Sequence, residues 1–219
     1  FLTIGINGMV EAAEYLGIHA SNNPQYLSFV REQLQVIYSS NQAARAEFGY
    51  LFNTEFVPAE NLGIKNAKWD KADGYRVKRD CYNSYFYVVE DDETNILDKF
   101  VLHGRSLLEY LDGGSALHLN LEEKLHCQGN LALLDLAARA GCNYFCINVK
   151  ITICNQCDHI DKRTLAHCVK CNSADVDYGT RIIGYLKRVS AFSQGRRAEQ
   201  RRRHYHMTES HTANKQAAL

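Results

Sequence analysis

The chain has 219 residues, and its 25 Lys and Arg are balanced by 25 Asp and Glu, so zero formal charge argues against a globally basic nucleic-acid binder. Hydrophobic residues at 46% and aromatics at 11% suffice for a sizeable buried core and exclude a disordered composition. No apolar run reaches the roughly 20 residues that span a bilayer, and Phe1-Leu2-Thr3 lacks the plan of a signal peptide, so a cytoplasmic protein with no membrane partner is expected. Phe1 to Gly5 reads as the interior of a strand or the approach to a helix rather than a frayed terminus, and a fragment is expected.

In chain order, Asn7 to Gly17 places Met9, Val10, Ala13 and Leu16 at helical spacing, with Asn7 as cap and Gly17 as stop. Tyr26, Leu27, Val30, Leu34, Ile37 and Tyr38 repeat at three and four, which predicts a long amphipathic helix from Gln25 to about Phe48. Phe52 to Val57 and Tyr82 to Val89 are rich in aromatic and β-branched residues and read as strands, separated by a polar stretch with Lys65, Lys68, Asp70, Lys71 and Asp73. Ile96 to Leu111 returns to helical spacing, and Asp112-Gly113-Gly114 breaks the chain before an alternating segment, Ala116 to Asn120. Asn130 to Ala140 reads as helix and Tyr144 to Val149 as strand, so residues 1–150 form a parallel α/β unit.

From Ile153 the character changes. Cys154-x-x-Cys157, ten intervening residues and Cys168-x-x-Cys171 present four thiolates in two tight turns, the arrangement that encloses a tetrahedral Zn²⁺. The polar spacer holds only Ile160 and Leu165 as large apolar residues and needs a metal to order it. Iron is the second choice of metal, and redox dithiols are the alternative use of the cysteines. His159 and His167 lie inside the box, but four cysteines already close the coordination shell, which makes the ion structural. Cys81, Cys127, Cys142 and Cys146 read mostly as buried, inert thiols.

Thirteen residues past Cys171, Gly184 interrupts the apolar stretch Arg181-Ile182-Ile183-Gly184-Tyr185-Leu186. By itself it reads as a turn or a close backbone approach. Residues 181–206 carry eight Lys or Arg against Glu199 as the one acid, a local charge of +7, including a basic helix over Arg196 to Arg203. Such a run is most often a solvated helix face. Residues 207–219 lack periodicity and are expected to be disordered.

The order of zinc box, Arg-Ile-Ile-Gly-Tyr-Leu and basic helix resembles the C-terminal end of the anaerobic, glycyl-radical ribonucleoside-triphosphate reductases. Asn7-Gly8-Met9-Val10-Glu11-Ala12, Asn53-Thr54-Glu55-Phe56-Val57-Pro58-Ala59-Glu60, Arg79-Asp80-Cys81-Tyr82-Asn83-Ser84-Tyr85 and Tyr110-Leu111-Asp112-Gly113-Gly114-Ser115-Ala116 extend the likeness over residues 1–205.

The resemblance implies the second half of a ten-stranded α/β barrel over residues 1–150, a four-cysteine zinc lobe over 151–178 and a glycyl radical loop with its basic helix over 179–206. The sheet should be open or completed by a partner, with exposed apolar surface where the other half packs. Gly184 would lose an α-hydrogen to a radical-SAM activase carrying an iron–sulfur cluster and store the unpaired electron on Cα, a task only glycine suits because it lacks Cβ. The spin would pass to a cysteine thiyl that abstracts the ribose 3′-hydrogen of a ribonucleoside triphosphate, so that the 2′-hydroxyl leaves as water.

The family's thiyl cysteine lies upstream of the segment matching Phe1, so this chain is expected to be inactive alone. Formate or a thioredoxin-like protein would be the reductant, and the complete enzyme a homodimer or a complex with a missing N-terminal half. Glu60 matches a glutamate that faces the substrate ribose, where a carboxylate manages the 2′-hydroxyl proton. Its other reading is a helix-start carboxylate. A rival assignment is a zinc-ribbon module whose basic helix grips nucleic acid, and another is a split structural subunit without activity of its own.

Overall fold

The computed structural model describes residues 2–182 and 185–207. Strand β1 (Leu2–Gly5) leads into helix α1 (Met9–Tyr15). The cap of α1 is Gly8, in left-handed backbone (φ 80°), while the expected cap Asn7 donates its Nδ2 to Ser84 Oγ at 2.7 Å. A β-carbon at Gly8 would also meet the Tyr82 ring at 3.1 Å. Helix α2 (Pro24–Phe48) is the long helix the periodicity predicts: Asn23 Oδ1 accepts from the Tyr26 amide at 2.9 Å, Pro24 opens it, and Gly49 at φ 69° closes it. Its inner face buries Tyr26, Val30 and Leu34.

Strand β2 (Phe52–Phe56) pairs parallel with β1 and with β3 (Gly114–Ser115) in a three-stranded sheet. β1 lies at its edge and is exposed along its length, with Leu2 51% and Ile4 39% accessible.

Three expectations between β2 and β3 need correction. The polar stretch after Glu60 is helix α3 (Glu60–Ala72), hidden in the sequence because only Glu60, Gly63 and Ala67 on it are buried. Tyr82 to Val89 is no strand. It is a buried irregular segment whose amides find other acceptors: Tyr82 N–H bonds Gly63 O (3.2 Å), Asn83 N–H bonds Glu11 Oε1 (3.0 Å) and Val89 N–H bonds Asn83 Oδ1 (3.0 Å). Gly63 makes this close approach possible, since a β-carbon there would lie 2.6 Å from Tyr82 O.

The helix expected over Ile96 to Leu111 is split into α4 (Ile96–Leu102) and α5 (Arg105–Leu108). The break falls at Gly104, where a β-carbon would stand 2.4 Å from Ala140 O. Strand β4 (Leu117–Asn120), helix α6 (Cys127–Ala140) and strand β5 (Phe145–Asn148) follow, with β4 and β5 parallel. All four residues of β4 are buried. Leu117 and Leu119 join the hydrophobic core with Phe145 and Ile147, whereas His118 and Asn120 share the other face with Cys146 and Asn148.

Past β5 the fold turns antiparallel, which the alternation of elements did not foretell. β6 (Ile151–Cys154), β7 (Ile160–Asp161), β8 (Val176–Ile182) and β9 (Tyr185–Arg188) form one sheet in the order β7-β6-β8-β9. β8 runs across residues 178 and 179, so the cysteine turns and the β8–β9 hairpin share that sheet. A 3-10 turn at Val189–Ala191 leads to helix α7 (Gln194–Arg202), and the chain returns to the body where His206 bridges Leu121 beyond the end of β4. Residues 208–219, most of the tail expected to be disordered, lie outside the described residues. Among the described residues, no helix is long and apolar enough to cross a membrane.

Candidate functional site

Cys154 ends β6, Cys157 lies in the turn that follows, and Cys168 and Cys171 stand in the loop between β7 and β8. Each C-x-x-C turn is closed by a residue in left-handed backbone, Asp158 (φ 56°) and Asn172 (φ 57°), which curls the chain so that both sulfurs of a turn face one point. The ligand atoms of the four cysteines all lie within 4.8 Å of one another, with Cys154 and Cys171 sulfurs 3.6 Å apart and Cys157 and Cys168 likewise. Four sulfurs about 2.3 Å from a central ion have edges of about 3.8 Å, so the cluster fits a tetrahedral thiolate site. The sulfurs share protons: against desolvation, backbone amides of Cys171 and Lys170 and the neighbouring thiols hold Cys168 down at about 6, while Cys157 and Cys171 are pushed up by the same sulfur–sulfur contacts. His159 contributes backbone groups: its carbonyl accepts from the Cys154 amide (2.9 Å) and its amide hydrogen-bonds the Cys157 sulfur.

Cys154 pairs with Val176 across β6 and β8, and β8 runs on to Ile182, which pairs with Tyr185 of β9. Gly184 falls between these two residues in the chain and lies outside the described residues. Beyond it, Tyr185 and Leu186 are exposed.

The basic helix α7 is not simply a solvated face. Arg197, Arg201 and Arg202 are exposed, but Arg196 and Arg203 turn inward to Glu60, the first residue of α3. Arg196 Nη2 stands 3.9 Å from Glu60 Oε2, and Arg203 Nη2 stands 3.8 Å from Glu60 Oε1. Arg203 Nε donates to Glu199 Oε1 at 2.7 Å, and its Nη1 donates to the Arg181 carbonyl of β8 at 3.2 Å. Glu60 Oε2, Glu199 Oε2 and Arg196 Nε are buried with no hydrogen-bond partner. The one-sided spacing of Arg196, Glu199 and Arg203 at i, i+3 and i+7 is the signal that distinguishes this face from a charge run. Cys81 lies near the same acids, and burial, then Glu199 and Glu60, push its thiol up to about 12. Of the four cysteines expected to be mostly buried, Cys142 is buried, Cys81 and Cys146 are half-buried and Cys127 is exposed.

Two buried histidines went unnoticed in the sequence. His103 shares a hydrogen bond with Ser115 Oγ (2.7 Å), accepts from the Phe86 amide at 3.4 Å, and is held neutral with its pKa down at about 3 by burial, then by His118 and Lys99. Burial, then Arg181 and Arg203, lower His118 to about 4. Lys99, also buried, donates to His206 Nε2 at 2.6 Å and lies 4.5 Å from the Tyr87 ring centroid, tying the segment after α7 to the body.

A parallel α/β body joined to a four-thiolate lobe and a basic helix is the combination that comparison with known proteins meets. The family model of the anaerobic ribonucleoside-triphosphate reductases matches residues 1–206, and the chain belongs to that family. A solved anaerobic ribonucleotide reductase is 28% identical and superposes with a TM-score of 0.82, over 94% of this chain and 34% of that one. The anaerobic ribonucleotide reductase from Thermotoga maritima, in complex with dATP and CTP, is 29% identical with a TM-score of 0.75, over 90% of this chain and 33% of that one. The chain thus spans about a third of the length of the solved structures it matches. A search of curated proteins finds no significant match.

Proposed function

We propose that this chain supplies the C-terminal part of an anaerobic ribonucleotide reductase that converts ribonucleoside triphosphates to deoxyribonucleoside triphosphates by glycyl and thiyl radical chemistry. The observation that carries the reading is the family match through residues 1–206, which takes in the sulfur cluster, the Arg-Ile-Ile-Gly-Tyr-Leu segment and α7. Cys154, Cys157, Cys168 and Cys171 hold a structural Zn²⁺, because four thiolates fill a tetrahedron and leave no position for substrate. Bound there, the ion orders a lobe too poor in apolar residues to fold on burial alone.

Gly184 is the radical residue, activated by a radical-SAM iron–sulfur protein. Without Cβ its α-carbon can flatten, so that the flanking amide nitrogen and carbonyl share the spin. The thiyl cysteine belongs to the rest of the enzyme, with formate or a thioredoxin-like protein as reductant, in a reducing, oxygen-poor cytoplasm. The complete enzyme is a homodimer or a complex with an N-terminal half. Support for the exposed, partner-seeking surface comes from the apolar edge of β1.

Glu60 is the active-site carboxylate of this reading, and its buried Oε2 without a hydrogen-bond partner is the atom available to a ribose hydroxyl. The nucleic-acid reading loses ground because Arg196 and Arg203 of the +7 segment are turned inward to Glu60.

Anaerobic activation followed by electron paramagnetic resonance tests the assignment. A doublet-type signal from the unsubstituted protein and none from Gly184→Ala is expected, and equal spectra refute it. In the complete enzyme Glu60→Gln should lower kcat with KM little changed, and an unchanged kcat removes Glu60 from the chemistry.

A further inference from the structure

Strand β6 covers the edge of β8 only as far as the Ile151–Gly179 pair. Beyond Gly179 that edge still carries peptide groups that need partners, and side chains from other elements supply them. The Arg181 amide donates to Asn148 Oδ1 at 3.0 Å, and the Arg181 carbonyl accepts from Arg203 Nη1 at 3.2 Å. The same Asn148 oxygen accepts from Thr180 Oγ1 at 2.9 Å, while Asn148 Nδ2 donates to Asn120 Oδ1 at 2.7 Å.

Asn148 and Asn120 are register partners on β5 and β4, on the face turned away from the hydrophobic core. Asn120, Asn148 and Thr180 are 5%, 3% and 0% exposed, so this chain of hydrogen bonds runs in a buried seam. With two donors at its oxygen and an acceptor at its nitrogen, the Asn148 amide has one satisfied orientation and stands in for the missing strand as a peptide group would. An apolar side chain at position 148 would remove the side-chain oxygen to which the Arg181 amide donates. The Arg181 amide is half-buried, where a lost hydrogen bond is only partly replaced by water.

We propose that Asn148, oriented by Asn120, is a positioning residue for Gly184: it fixes the end of β8, three residues before the glycine, on the parallel β4–β5 pair. This inference rests on the radical reading of Gly184, and the test separates the two.

The reductase chain carrying Asn148→Leu is compared with the unsubstituted protein for zinc content, amide exchange at Arg181 and radical yield after anaerobic activation. Zinc content should stay at one per chain, and the Arg181 amide should exchange about fivefold faster once the Asn148 oxygen is lost. Radical yield should fall about tenfold, because small displacements of a reacting centre are amplified in rate. A doublet of unsubstituted strength in the zinc-loaded variant overturns the positioning role and leaves the radical reading standing. No doublet from the unsubstituted protein overturns both. Should Asn148→Leu lose its zinc or its cooperative fold, Asn148→Ser, too short to reach the Arg181 amide, decides by the same two outcomes.

Discussion

Between Leu2 and Asn148 the chain buries Tyr26, Phe56, Phe86, Tyr87, Phe100, Leu117 and Leu119 in one hydrophobic core, whereas from Ile151 to Arg188 the buried apolar side chains among the described residues are Ile153, Cys154 and Cys168. Each buried large side chain of the body contributes about 2 kcal/mol of transfer free energy. The lobe has almost none of this and has instead four convergent sulfurs. The body should therefore respond to cavities and the lobe to loss of its convergent sulfurs.

The largest expected effect is on the lobe. Replacing Cys168 and Cys171 together by Ser removes half the ligand set of a site of a kind that contributes about 10 kcal/mol or more to folding. Zinc content should drop to zero, with amide exchange in β6 to β9 accelerated and the protection of α2 largely kept. Retained zinc, or equal loss of protection in α2, would break the contrast between the two regions.

Next comes the body. Phe56 is fully buried and stacks on Phe86 with ring centroids 3.8 Å apart, so Phe56→Ala should destabilise the body by about 3–5 kcal/mol in urea unfolding, with zinc stoichiometry intact. Zinc loss in this variant would mean that the two regions fold as one unit.

The smallest effect sharpens the comparison through pH. Burial depresses His103 and His118 to about 3 and about 4, so both remain neutral in the fold while the unfolded chain takes up protons below about 6.5. The unfolded state then binds more protons, and stability should fall as pH drops from about 6.5 towards 4, by roughly 1 kcal/mol per unit for each histidine. His206, lowered to about 4 by burial and then by Lys99, adds to the same slope, so urea unfolding at stepped pH should show His103→Gln reducing it by about a third. A slope unchanged in that variant would place the acid sensitivity elsewhere, with the thiolate cluster the first place to look.

What the sequence disclosed follows from how local each signal is. The cap, apolar face and stop of α2 lie within one segment, and so do the spacings of the four cysteines, because a helix and a metal knuckle are each specified by neighbours in the chain. The motifs that carry the family resemblance are likewise written in order along it. Helix α3 was invisible because most of its surface faces solvent, and Tyr82 to Val89 looked like a strand because composition cannot say that Gly63, Glu11 and Asn83 would take its amides in place of a neighbouring strand.

Tertiary structure alone decided the rest: the inward turn of Arg196 and Arg203 to Glu60, the neutral buried histidines, and the seam in which Asn148 holds Arg181. In each of these the partners lie tens of residues apart in sequence. Their pairing depends on which buried polar group is left without water and what the fold brings within reach of it.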